Sequence, residues 1–326
     1  MRAFSFSSVA RRWRSAAGAS LVLLGWLSGC VVAQIGVSRA QEAAGGVACA
    51  PVEPAPPLPG PVLPDARLAA DSLLRRAFAP ATMAAANRYG LAPALHQLVA
   101  APPGSLAGLQ ARQRVSEQLA SLTLAVSSTA AELDCEEERA DQVADYLLDQ
   151  AASHIRTYTL LSILLGAIGT VVTGVLSLLE VRKTIYRPVG IAFGLAGATL
   201  GLLTLRAPDT QRPFAHRRNA LADVGQRAGQ PRTLPPVVWA YLNAPAGDGM
   251  LSPRQVLLHR WQTTGELGAK SPADRQRLLT LLFGRGGTYE ASELRIRANF
   301  YDQLESSVAL QKQELYQLQA RVAALP

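Results

Sequence analysis

The sequence predicts an all-α, membrane-anchored protein, in which a two-helix transmembrane hairpin carries long heptad-patterned helices on the exported side. Three observations predict it. Two nearly charge-free apolar runs lie near the middle of the chain, at residues 157–179 and 188–205. Apolar residues recur at helical spacing on both sides of them, and strand-like alternation appears nowhere at any length. Composition agrees. Of 326 residues 49% are hydrophobic and 17% charged, which excludes disorder over most of the chain. Three Cys are too few for a disulfide scaffold, and a mean hydropathy of +0.12 with 6% aromatics fits membrane segments better than one large aromatic core.

Residues 1–40 form a signal peptide or N-terminal anchor. Arg2, Arg11, Arg12 and Arg14 precede an uncharged apolar stretch at 15–37, the order in which positive charge stays inside while an apolar helix enters the bilayer. Three endings remain open: cleavage after Ala40, with small residues at Ser38 and Ala40; lipidation of Cys30, because Leu27-Ser28-Gly29-Cys30 resembles a bacterial lipoprotein signal; or an uncleaved anchor. Each puts the chain from residue 41 outside the cytoplasm. In an oxidising compartment the remaining Cys49 and Cys135 are expected to form one disulfide.

Residues 41–64 hold seven Pro between positions 51 and 64 and form a semi-rigid linker. Residues 65–156 form an exported helical stalk domain. Asp65 is placed to cap a helix to about Ala77, a second runs from Pro80 to Arg88, and Pro102, Pro103 and Gly104 break the chain. From Ser105 a long helix follows. Its seam is Leu119, Leu122, Val126, Thr129, Leu133, Glu136, Ala140, Val143 and Leu147, and it is expected to run unbroken into the first span.

Residues 157–205 form the hairpin. The first run has 23 residues, roughly 35 Å as a helix, and the second 18, roughly 27 Å, against a hydrocarbon core of ~30 Å. The loop between them, residues 180–187, carries Arg182, Lys183 and Arg187, which suits the cytoplasmic side. Gly190, Gly194, Gly197 and Gly201 fall on one helical face, and Gly166, Gly169, Thr173 and Ser177 make a similar stripe on the first span. Small residues let helix backbones approach closely, so the two spans are expected to pack through these stripes.

Residues 206–288 form a second exported helical domain, with helix starts at Ser252-Pro253 and Ser271-Pro272. Residues 289–326 form a coiled-coil-like helix with the seam Tyr301, Leu304, Val308, Gln311, Leu315, Leu318, Val322 and Leu325. The stalk half, residues 41–156, has 8 basic and 13 acidic residues, and residues 206–326 have 16 basic and 10 acidic. Asp145 and Asp149 just before the first span, and Arg206 and Arg212 just after the second, are therefore candidate docking pairs.

Residues that carry chemistry are sparse. The four His are far apart in sequence and none sits in a zinc-binding pattern. No catalytic, cofactor-binding or metal-binding residue is assigned. The acidic run from Glu132 to Asp149 is expected to be a solvated helix face. Nucleic acid is not expected as a partner, since the bases are scattered and no recognition module is present. The expected partners are the lipid bilayer and other envelope proteins, or a second copy through the coiled-coil helices. The expected location is the bacterial inner membrane, with both terminal domains periplasmic. The expected role is scaffolding or protein interaction. A receptor-like or transport-accessory subunit and an envelope hydrolase with a site formed only on folding are the alternatives.

Overall fold

The computed structural model describes residues 49–51, 53–205, 211–225, 231–245, 247, 249–263 and 267–325. The expected signal, Cys30 and Arg206 lie outside the described residues. Four short helices come first: α1 (Asp65–Ala70), α2 (Ser72–Ala77), α3 (Pro80–Arg88) and α4 (Ala92–Ala100). A single helix was expected over 65–77. Asp71 divides it, because its carboxylate accepts from the backbone N–H groups of Leu73 and Leu74 and so caps a new start. The sequence reading had no helix at 92–100.

Helix α5 (Leu106–Leu178) is 73 residues long, roughly 110 Å. Ser105 caps it by accepting from the Gly108 N–H. The absence of Pro and of conformationally demanding residues over most of its length lets it continue from the folded domain into the first apolar run. It ends in a Schellman turn. Glu180 takes the left-handed conformation (φ 52°), Val181 N–H donates to the Leu176 carbonyl, and Glu180 N–H to Ser177. Helix α6 (Lys183–Leu205) then returns antiparallel to it. It starts five residues before Pro188, so the connection is shorter than the eight residues expected. Pro188 lies inside this helix as its sixth residue, where it removes the N–H that would donate to the Thr184 carbonyl.

The remaining elements are β1 (Gln211–Ala215), α7 (Ala220–Gly225), α8 (Pro236–Asn243), α9 (Pro253–Thr263), α10 (Pro272–Phe283), β2 (Gly286–Glu290) and α11 (Ala291–Ala323). The chain is mostly helical, but the expectation of no strand is corrected. β1 and β2 pair antiparallel, with Gln211 opposite Glu290 and Ala215 opposite Gly286. Each strand is five residues, and Pro213, Gly286 and Gly287 hide the alternation. Phe214 and Tyr289 are the two side chains they bury.

The core is built on α5 and α11. Arg112 near the start of α5 donates to the carbonyls of Val322 and Leu325 at the end of α11, and Arg295 near the start of α11 pairs with Asp145 on α5. The two helices are therefore antiparallel. Their seams meet. Val115, Val126, Ala140 and Ala144 from one, and Leu304 and Val308 from the other, are fully buried. α8 adds Val237, Val238 and Leu242, and α9 adds Trp261, stacked on Phe300 at 4.6 Å with its indole N–H donating to Gln303.

Candidate functional site

Two regions of this fold gather the expected site residues. The first is the α5–α6 hairpin. Its facing side is small and polar. Ser162 Oγ donates to the Gly197 carbonyl at 2.9 Å, and Thr173 lies against Gly190. A Cβ added at Gly169 would stand 2.6 Å from Phe193 Cβ. Gly201 also faces Ser162, at van der Waals distance. Gly194 and Gly166 are corrections: a Cβ at either meets nothing within 4 Å, so neither is part of the helix contact. The 4-3-4 spacing of the glycines spreads over more than the contact face, and Gly194 is exposed. The outward side is apolar. Leu160, Ile163, Leu164, Val171, Ile191, Leu195 and Leu202 are all more than half exposed. Both helices are long and apolar enough to cross a membrane.

The second region is the junction where the stalk meets the C-terminal half. The acidic run was expected to be a solvated face, and part of it is internal. Glu132 is buried and accepts from Arg218 Nε at 2.6 Å. Glu136 is buried and accepts from Arg139 at 2.6 Å, with the wholly buried Arg297 guanidinium 3.9 Å away. Burial raises the Glu132 pKa while Arg218 pulls against it. Arg297 also donates to the Tyr301 hydroxyl and the Leu282 carbonyl, and lies over the Tyr301 ring at 4.7 Å. Arg139 covers the Phe214 ring at 4.3 Å. This polar layer interrupts the apolar seam at Glu136.

His216 belongs to the same layer. Its Nδ1 lies 2.9 Å from the Gly284 carbonyl and 3.1 Å from Asn219 Nδ2, and its Nε2 lies 2.9 Å from the Tyr289 hydroxyl, which donates to the Leu281 carbonyl. Burial and the neighbouring Arg297 push its pKa down to about 3, so it is neutral. Among the described residues no carboxylate is hydrogen-bonded to it. Among the described residues no group of His, Cys, Asp and Glu is placed to hold a metal ion.

The remaining expected residues are placed as follows. Cys49 and Cys135 are joined in a disulfide. Asp145 pairs with Arg295 at 2.6 Å, not with Arg212, whose guanidinium lies over the Tyr146 ring at 4.7 Å. Asp149 is exposed. The sequence reading missed Arg297, Arg218 and Asp223. The Asp223 carboxylate accepts from the N–H groups of Arg232, Thr233 and Leu234 and orders the segment leading to α8. An Arg inside a heptad helix at a seam-adjacent position is the signal that was available for Arg297. No protein-family model, curated protein or solved structure matches this chain.

Proposed function

We propose that the chain is a membrane-anchored scaffold of the bacterial cell envelope, held in the inner membrane by the α5–α6 hairpin with its helical domain on the periplasmic side. The observation that carries this reading is the continuity of α5. One unbroken helix has a buried apolar seam between Ala111 and Leu147 and then, from residue 157, apolar side chains all round with only Gly169 buried. A helix apolar on every side and uncovered by protein needs lipid around it. The N-terminal basic and apolar segment, and the basic Arg182, Lys183 and Arg187 at the hairpin turn, support the orientation.

The two heptad seams form an antiparallel coiled-coil-like pair within one chain. Each seam is then occupied by the other, and a second copy or another envelope protein would have to dock elsewhere. A rigid helix passing from domain to bilayer suits a scaffold, since it fixes the domain's distance from the membrane. Labelling of single cysteines with a membrane-impermeant maleimide tests the reading. Gln150→Cys should react in intact spheroplasts, and Arg182→Cys only after lysis. The opposite pattern would reverse the orientation, and extraction of the protein by carbonate without detergent would remove the hairpin from the bilayer altogether.

A further inference from the structure

The Pro-rich segment expected to be a linker is instead a strap laid along the domain. Ala55, Leu58 and Leu63 pack against the core, and two further attachments fix its ends. At one end Asn87 brackets Leu63, donating to its carbonyl and accepting from its N–H, both at 2.8 Å. Beside this bracket Gly60 crosses Gly90 so closely that a Cβ on Gly60 would stand 2.7 Å from the Gly90 carbonyl oxygen, and Gly90 takes φ 71°. At the other end is the disulfide to Cys135 on α5. Between them Glu53, Pro54, Pro56, Pro57 and Pro59 are exposed, Ala55 and Leu58 are half-buried, and six of the thirteen residues 50–62 are Pro and lack a backbone donor. With α5 and the segment leading to α8, the strap walls a cleft of about 670 Å³. Ala125, Leu124 and Ser128 line its α5 side, Arg232 and Pro235 the opposite side, and Pro54 and Pro56 the strap side. Its volume is in the range of small-ligand sites.

We propose that the Cys49–Cys135 disulfide is a redox latch that decides whether this cleft exists. Closed, it holds the strap as the third wall. Opened, it removes the covalent tie at Cys49, so that residues 49–59, left to the packing of Ala55 and Leu58, can lift from α5 while the Asn87 bracket keeps the rest of the strap in place. Both sulfurs belong to half-buried residues, so a dithiol reductant can reach them. One thiolate of the reductant attacks Cys49 Sγ, away from the carboxylates of Asp134, Glu136, Glu137 and Glu138 that flank Cys135. The protein S–S bond breaks and Cys135 leaves as a thiolate that takes up a proton. The second thiolate of the reductant then displaces the Cys49 sulfur. Two electrons and two protons pass to the protein, and the dithiol becomes a disulfide. A latch that persists in the cell rests on the periplasmic reading, but its mechanical action does not.

The test uses the purified full chain in detergent micelles with a benzophenone amino acid in place of Leu124, on the cleft floor. Photo-crosslinks to the strap peptide are mapped by mass spectrometry, and helicity is followed by circular dichroism. Oxidised protein should crosslink to residues 50–59. Reduction with dithiothreitol, or Cys49→Ser, should lower that yield at least fivefold and leave helicity unchanged. An unchanged yield would show the strap held by packing alone. Loss of helicity in both the reduced protein and Cys49→Ser would make the disulfide a brace of the fold and not a latch. Neither result bears on the orientation of the hairpin.

Discussion

Two stretches of the same helix, residues 111–147 and 157–178 of α5, share one backbone geometry but not one pattern: the first carries eleven charged residues and the second none. Both are regular α-helix and both are rich in Leu, Val and Ala. In the first, apolar residues form a stripe, and Leu133 on it is 1% exposed. In the second they cover the whole circumference, and Leu164 is 55% exposed. The first stretch has a protein partner in α11. Among the described residues the second meets α6, which covers one side with Gly190, Phe193 and Gly197. How far an apolar surface extends around a helix thus sets how much of its circumference needs cover from water.

The comparison breaks most sharply at the seam. Leu304→Ala removes a fully buried side chain and should destabilise the domain by about 2–5 kcal/mol, the usual range for core Leu truncations. Leu164→Ala, on the outward face of the hairpin, should shift unfolding by less than about 0.5 kcal/mol. Urea unfolding in micelles, read by the near-ultraviolet signal of the buried Trp261, measures both. Equal effects would mean that the outward face of the hairpin is packed against protein.

The polar layer gives the next largest effect. Arg297 is wholly buried, so Arg297→Ala strips the layer of a charge and leaves Glu136 with Arg139 alone. A loss of about 3 kcal/mol is expected. Arg297→Met keeps the packing volume and should lose less. Loss of the same size in both would show that the guanidinium matters as a donor to Tyr301 and Leu282 more than as bulk.

The hairpin contact can be broken one glycine at a time. Gly169→Leu must displace Phe193, and Gly190→Leu must displace Thr173. Both should weaken pairing of the two spans. Gly194→Leu points into open space and should leave pairing intact. Disulfide trapping between cysteines introduced at Ile155 and Thr204 reports pairing directly. Equal loss in all three would mean that a further helix packs on the Gly194 side.

Much of this was legible in the sequence. Helical periodicity placed both seams, and each residue named in them is buried or half-buried in the fold, because heptad spacing needs only local geometry. The length and apolarity of the two runs were equally local. What could not be read depends on which distant residues meet. Nothing near Glu132 names Arg218 as its partner, since they are 86 positions apart and are joined by the return of the chain through α6. The strands were missed because Pro213 and the glycines of β2 carry no alternation, and their pairing is fixed by Phe214 and Tyr289 entering the same polar layer. Gly194 was over-read because stripe spacing cannot say which member of the stripe turns away from the facing helix.

The smallest expected effect is a pH dependence along the outer edge of the seam. Glu137 on α5 faces Asp302 and Glu305 on α11, with Asp134 and Asp141 on its own helix. Partial burial and then these four carboxylates push its pKa from 4.5 up to about 7. The folded chain holds this proton more tightly than the unfolded chain. Its contribution to stability is therefore full below pH 4.5 and is lost as pH rises through about 7. His216 works in the other sense. Its folded pKa of about 3 lies below the ordinary 6.5, so its contribution is present above pH 6.5 and is lost as pH falls toward 3. The two overlap between pH 4.5 and 6.5, where they oppose each other, and a wild-type profile alone would hide both. Glu137→Gln isolates the first. It should raise the urea midpoint at pH 8 and converge on wild type as pH falls to 4.5. A constant offset at every pH would assign the gain to packing instead of charge. The layer around His216 would then be the main source of pH sensitivity, and His216→Gln should flatten the acid limb below pH 6.5.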